Sequence, residues 1–383
     1  MKVKLSDAFD LQMGKTPPRN VRECWGDGHK WISISDIGNA GKYIDTTKEE
    51  ITDIGVSKSG IKLVPKGTVI MSFKLSIGKT AITAEDMYTN EAIMAFIDNG
   101  KYAIDTDYLY HMCKGIDWFE GTNKAVLGLT LNKATMSEKE IEIPPMEVQL
   151  HVVSVLDKMD ELITLRKEQL VKLDQLVKSR FIELFGDPIR NEKGWPIVTL
   201  GEVAEIRIGP FGSLLHKEDY IVGGHALVNP SHIIDGNICT DDKLTVSDEK
   251  YEELSAYRLS IGDLVLGRRG EMGRCAVVYE DGLLCGTGSI IIRPKEKMKP
   301  YFLQNIISSP GYKRIIEDKA VGVTMMNLNV PIVSSLTIPL LPIDMQEQFI
   351  AFMQQNDKSK LAIQQSLDKL ELLKKSLLQE YFG

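Results

Sequence analysis

Two long stretches of the chain carry apolar residues at steps of three and four. In the first these are Val148, Val152, Val155, Met159, Leu162, Leu170, Leu173, Leu176 and Leu184; in the second, Met345, Phe349, Phe352, Ile363, Leu367, Leu370, Leu373 and Tyr381. That spacing is the seam of a coiled coil. Each stretch predicts one continuous helix of about 40 residues, ~60 Å long at a rise of ~1.5 Å per residue. Proline followed by an acidic residue marks both starts (Pro145 and Glu147, Pro342 and Asp344), and Gly186 marks the first stop.

The two stretches are copies of each other. An offset of 197 residues, set by Pro145 against Pro342, aligns PMEVQLHVVSVLDKMDEL with PIDMQEQFIAFMQQNDKS and continues without a gap to the two Phe-Gly pairs. Gln149 meets Gln346, Asp160 meets Asp357, Leu170 meets Leu367, and Lys178-Ser179 meets Lys375-Ser376. An amphipathic helix of this length must cover its apolar stripe, and its copy is the natural partner. The expected pairing is an antiparallel coiled coil. Arg166, Asn356 and Ser359 interrupt the seam; polar seam residues either fix register at some cost in stability or mark a local irregularity holding water.

The segments outside the helices repeat as well. Leu5–Gly14 (LSDAFDLQMG) matches Leu200–Gly209 (LGEVAEIRIG) at an offset of 195, and Pro65–Ile82 matches Ser260–Val277 at the same offset. Short runs rich in β-branched residues (TVIM, DLVL, CAVVY, SIIIR), separated by glycine and charged turns, predict strands with supporting helices. The chain thus reads as globular unit (1–144), helix (145–187), globular unit (188–340), helix (341–383), an α/β (α+β) arrangement with an approximate twofold internal repeat. The polar, turn-rich DPIRNEKGW at 187–195 is expected to be a linker.

Length agrees with two units, since 383 residues exceed the roughly 100 to 200 of one domain. With 43% apolar and 26% charged residues and no uninterrupted apolar span, the composition is that of a globular, non-membrane protein. The opening MKVKLSDAF lacks a secretory pattern, so the expected compartment is the cytoplasm. Cys24, Cys113, Cys239, Cys275 and Cys285 include no CxxC pair, which argues against disulfides and zinc and for small buried residues. A net charge of -7 excludes a generic nucleic-acid coat while leaving room for local basic patches.

Catalytic signatures are scarce. GRRGEMG (267–273) and GTGS (286–289) fit turns between strands, not the phosphate loops of nucleotide sites. No HExxH or GxSxG is present, and Asp241, Asp242 and Asp263 are expected to be solvated loop residues. No catalytic residue and no metal ligand is assigned. The equivalent loops of the two units are different in kind. GKTPPR, WISISD, SFKLSIGK and YTNEA in the first, and GPFGSLLHK, LVNPSHI, LGRRGEMGR and GTGSI in the second, combine Lys, Arg, Ser, Thr and Asn with aromatics. These side chains can pair with phosphates or read base edges. Two related but diverged units on a rigid helical pair suit a bipartite target, each unit reading one half-site and the helices setting the gap.

In these blocks, and in WISISDIGNAGKYID, TNEAIMAFI, GLTLNKATMSEKEIEIPP and MMNLNVPIVSSLTIPLLP, the chain resembles the specificity (S) subunits of type I restriction-modification systems along essentially its whole length. The resemblance implies two target recognition domains, a helical spacer and double-stranded DNA as ligand. It also implies two methyltransferase (M) subunits and motor and nuclease (R) subunits as partners. S-adenosylmethionine, ATP and Mg2+ would belong to those partners, with no cofactor on this chain. Loop chemistry and matching position nominate Lys15, Thr16, Arg19, Trp31, Ser33, Lys74 and Lys79 in the first domain. In the second they nominate Phe211, Ser213, His216, Asn229, Arg268, Arg269 and Arg274. Trp31 fits a core position equally well; Lys79 and its equivalent Arg274 are the expected phosphate contacts. GRRGEMGR standing where the first domain has SFKLSIGK predicts unrelated half-sites. A specificity subunit whose partner fuses methylation and cleavage, and a protein-binding scaffold that never touches DNA, stay open as alternatives.

Overall fold

The computed structural model describes residues 1–74, 76–119, 131–210, 214–270, 272–322 and 327–383. Two compact units divide the chain inside both long helices: residues 1–169 with 363–383, and residues 170–362. Each unit therefore joins one globular domain to part of the central helix (Met146–Phe185) and part of the C-terminal helix (Ile343–Phe382).

In the first domain a five-stranded sheet runs in the order Phe9–Met13, Ile93–Asp98, Val69–Ser72, Thr80–Thr83, Tyr43–Ile44, antiparallel except for the last pair. A smaller sheet sets Trp25–Ile32 between Glu49–Ile51 and Tyr88–Thr89. The second domain repeats this frame. Its main sheet runs Ala204–Ile208, Ser289–Pro294, Leu264–Gly267, Cys275–Val277, and its smaller sheet centres on Thr245–Val246 and His225–Val228. The central strands of both main sheets are buried on both faces, which is why they read as unbroken apolar runs. A short ribbon closes each domain beside its helix: Lys2–Lys4 with Glu140–Glu142, and Ile197–Thr199 with Thr337–Pro339.

The long helices pair antiparallel within each unit. Lys374 bonds to Asp160 and Lys167 to Glu371 (2.9 Å) in the first, and Lys360 to Asp174 (2.7 Å) in the second. The buried stripe differs by one residue from the expected seam in places. Val152, Leu156, Met159 and Ile163 are buried, whereas Val148, Leu176 and Leu373 are exposed. Lys374, not Leu373, continues the C-terminal stripe, its side chain mostly covered and its ammonium reaching Asp160. Asn356 does lie in the seam, 6% exposed with its Oδ1 unpartnered.

Two buried glutamines fasten helix to domain in the same way. Gln149 donates to the carbonyls of Ala103 (3.0 Å) and Pro144 (2.9 Å) and accepts from the Asp105 amide (2.9 Å). Gln346 donates to Lys297 (3.1 Å) and Leu341 (2.8 Å) and accepts from Lys299 (2.9 Å). Both are fully buried. Around them the cores differ: Phe181, Phe185, Phe302 and Phe349 pack ring on ring in the second unit, and Tyr108 meets Phe382 in the first.

Segment 187–195 joins the central helix to the second domain and folds back on that helix: Trp195 Nε1 donates to the Phe185 carbonyl (3.0 Å) and Lys193 to those of Glu183 and Leu184. Two local expectations are corrected. Asp263 is no solvated loop residue; it is 2% exposed and holds Arg293 in a fork at 2.7 and 2.6 Å. Cys239 is exposed, while the other four cysteines are buried.

Candidate nucleic-acid interface

The nominated loops leave the main sheets at two glycines that accept no side chain. A Cβ on Gly14 would stand 2.0 Å from the Thr89 carbonyl oxygen, and one on Gly209 2.1 Å from that of Gly286. Beyond Gly14, Lys15 donates to the carbonyls of Ser59 and Gly60 (both 3.1 Å), tying the loop to the end of helix Asp53–Ser59. Thr16 bonds to Glu91. Arg19 grips Glu49 through both terminal nitrogens and lies 3.8 Å above the Trp25 ring.

Trp31 is a core residue. It is 2% exposed, edge-on to Trp25 at 5.1 Å, and its indole N–H is spent on the Lys15 carbonyl (3.0 Å), so it presents no face to a base. The structure thus gathers Lys15, Arg19 and Trp25 around Trp31, which supports them from the core. Ser33 is likewise committed: its amide and hydroxyl both bond to Asp36 (2.8 and 2.7 Å) at the start of helix Ile34–Asn39. Lys74 and Lys79 are exposed. Lys74 extends over Phe73, while Lys79 lines a cleft with Lys114, Tyr110 and Asp160 of the central helix.

In the second domain Phe211 and Ser213 lie outside the described residues. His216 is exposed, and its amide donates to Asp219 (2.6 Å). Asn229 is half-buried before the 3-10 turn Pro230–His232. Arg268 is corrected to an interior position: it is 4% exposed and donates to the Thr287 carbonyl (3.1 Å). Burial, with Arg269 beside it, holds its pKa below the usual arginine value. Arg269 is exposed. Arg274 reaches toward the Pro230 and Ile233 carbonyls at 3.5 Å and lines a cleft with Lys313, Tyr301 and Asp357. Lys79 and Arg274, equivalent in sequence, therefore occupy corresponding clefts, each walled by the equivalent aspartates Asp160 and Asp357.

Several polar groups were not legible as site residues. His29 pairs with Asp53 (2.8 Å) and His225 with Asp248 (3.0 Å), the same joint between strand and helix in both domains. The shared offsets, 196 and 195, were the available signal. Lys42, Asp107, His111 and Asp157 form a charged cluster in the first unit. Burial pushes the His111 pKa down, against the pull of Asp157. For Asp157 burial works upward, but bonds from Lys42 and His111 outweigh it and hold the carboxyl below its ordinary value. Among the described residues no group of three or more His, Cys, Asp or Glu could hold a metal ion, and no helix is long and apolar enough to cross a membrane.

The family model described as the type I restriction modification DNA specificity domain matches residues 1–175 and 192–373. Among curated relatives, the type I restriction enzyme MjaIX specificity subunit of Methanocaldococcus jannaschii is 25% identical over 288 residues, 70% of this chain and 66% of that protein. The MjaVIII specificity subunit of the same organism is 20% identical over 98% of this chain and 90% of its own length. Among solved structures, a chain from work on complex assembly and conformational transition of the type I R-M system aligns over 100% of this chain and 97% of its own, with a TM-score of 0.69 at 18% identity. The HsdS subunit from Thermoanaerobacter tengcongensis aligns over 100% and 96%, with a TM-score of 0.52 at 18% identity. These structural likenesses bear on the fold.

Proposed function

The chain belongs to the family of type I restriction-modification DNA specificity subunits, and we propose that it reads a bipartite, asymmetric DNA target and directs methylation and cleavage carried out by partner subunits. One observation carries the reading. Both domains keep the same frame and the same glutamine fastening to the helices, while the loops at matching positions differ in charge and size. A common frame with unlike loops is what two unlike half-sites on one spacer require. Arg19, Lys74, Lys79, Arg269 and Arg274 supply cations at or near the surface for backbone contacts, which position a protein on DNA without specifying sequence.

The chain's role in this reading is recognition without catalysis. Two methyltransferase subunits would dock on the spacer and domains and bind S-adenosylmethionine; motor and nuclease subunits would use ATP and Mg2+. The complex would work in the cytoplasm, where the chromosome is. Methylome sequencing with and without the gene tests this: loss of one bipartite methylated sequence is expected. An unchanged methylome would overturn the reading in favour of a protein-binding scaffold.

A further inference from the structure

The two joints between helix and domain share their buried glutamine and differ in charge. In the first unit Asp157 of the central helix accepts from Lys42 Nζ at 2.7 and 2.8 Å and lies 2.7 Å from His111 Nε2. Lys42 also reaches Asp107 at 3.0 Å. The glutamine bonds align helix Thr106–Gly115 with Pro300–Ile307 at an offset of 194 and the long helices at 197. On those offsets Asn305 stands for His111, Gln354 for Asp157 and Tyr301 for Asp107. The second joint is neutral at all three places; Asn305 donates to the Tyr301 carbonyl (2.8 Å).

We propose that His111, Asp157 and Lys42 form a proton-sensitive latch that positions the first domain on the central helix, so that only one half of the target depends on it. This rests on the DNA-specificity reading. His111 is fully buried, and its Nδ1 has no hydrogen-bond partner among the described residues. A neutral imidazole donating from Nε2 satisfies Asp157 and leaves one lone pair unmatched. A second proton would place a charged N–H at Nδ1 with no acceptor, a far costlier orphan. The groups that bear on it are Asp157 and Asp160 of the central helix and Lys42 from the loop before Tyr43, with Tyr110 beside it on its own helix.

The sign follows from proton counting. The latched state holds His111 below its ordinary value, so an opened, solvated His111 binds more protons as pH falls past about 6.5. Acid therefore favours the opened state. The Asp157 carboxyl, held low, keeps its charge until the medium is far more acidic.

The test uses the intact chain with its methyltransferase partners. Affinity is measured between about pH 8 and about pH 5.5 on the full target and on duplexes altered in one half-site or the other. Wild type should lose about tenfold in affinity, within the range usual for coupling between two parts of a protein, with discrimination lost at one half-site only. The variant His111→Asn with Asp157→Gln, which copies the second joint, should show a flat profile. Equal profiles in wild type and variant, or equal loss at both half-sites, would overturn the latch. Hydrogen exchange on the wild-type chain without DNA decides the matter if the variant does not fold. Acid should weaken protection of Thr106–Gly115 but not of Pro300–Ile307, and equal loss in both sinks the proposal. Failure to bind any bipartite duplex at about pH 8, with the exchange asymmetry present, would count against the DNA reading alone.

Discussion

Replacing Gln149 by leucine keeps the volume of a fully buried side chain and removes its three hydrogen bonds. The Ala103 and Pro144 carbonyls and the Asp105 amide, part-buried beside the fully buried glutamine, then lose their partner. Leaving a buried polar group unpaired costs about 1 to 3 kcal/mol. Three near the low end give ~3 kcal/mol once the gain from the more apolar side chain is subtracted. At about 1.4 kcal/mol per tenfold, a net ~3 kcal/mol is roughly two decades in a local opening equilibrium. Asp105 is also the N-cap of helix Thr106–Gly115, so the loss should concentrate there. Hydrogen exchange read by mass spectrometry should show protection of that helix reduced about a hundredfold, with Pro300–Ile307 unchanged; Gln346→Leu should reverse the pattern. A change below about tenfold, or one spread evenly over both helices, would show that the glutamines do not fasten the joints.

Breaking the Asp263–Arg293 pair by Asp263→Asn should cost the second unit about 3 kcal/mol, the low end for a buried pair because Arg293 is 38% exposed. Thr68 and Ile97 hold the equivalent positions in the first domain. The double variant Asp263→Thr with Arg293→Ile should therefore recover most of the loss in denaturant unfolding, and no recovery would refute the argument. Lys79→Ala should weaken binding to all duplexes and lower the salt slope by about 1; an unchanged slope would remove Lys79 from the backbone contacts.

The helices were legible because a long apolar period and its copy leave few readings. The seam slipped where Lys374 occupies an apolar-stripe position, since periodicity counts residue types and not buried stems. Arg268 was misplaced, and Trp31 left open between core and interface, for a related reason: loop composition nominates side chains that can touch DNA but does not say which way they face. Asp263 was hidden because its partner Arg293 lies a strand away. The latch was invisible to the repeat, which draws attention to what the halves share; His111, Asp157 and Lys42 sit where they do not.

The first compact unit draws on residues 1–169 and again on 363–383, whereas the second is the unbroken run 170–362. Domains generally complete in the order the ribosome delivers them, at roughly 5 to 20 residues per second. Here that order is inverted: the first-made domain leaves its flank for Leu377, Tyr381 and Phe382 uncovered until residues far downstream emerge. During that wait the nascent chain shows apolar surface, and chaperones or a neighbouring copy of the same C-terminal helix compete for it.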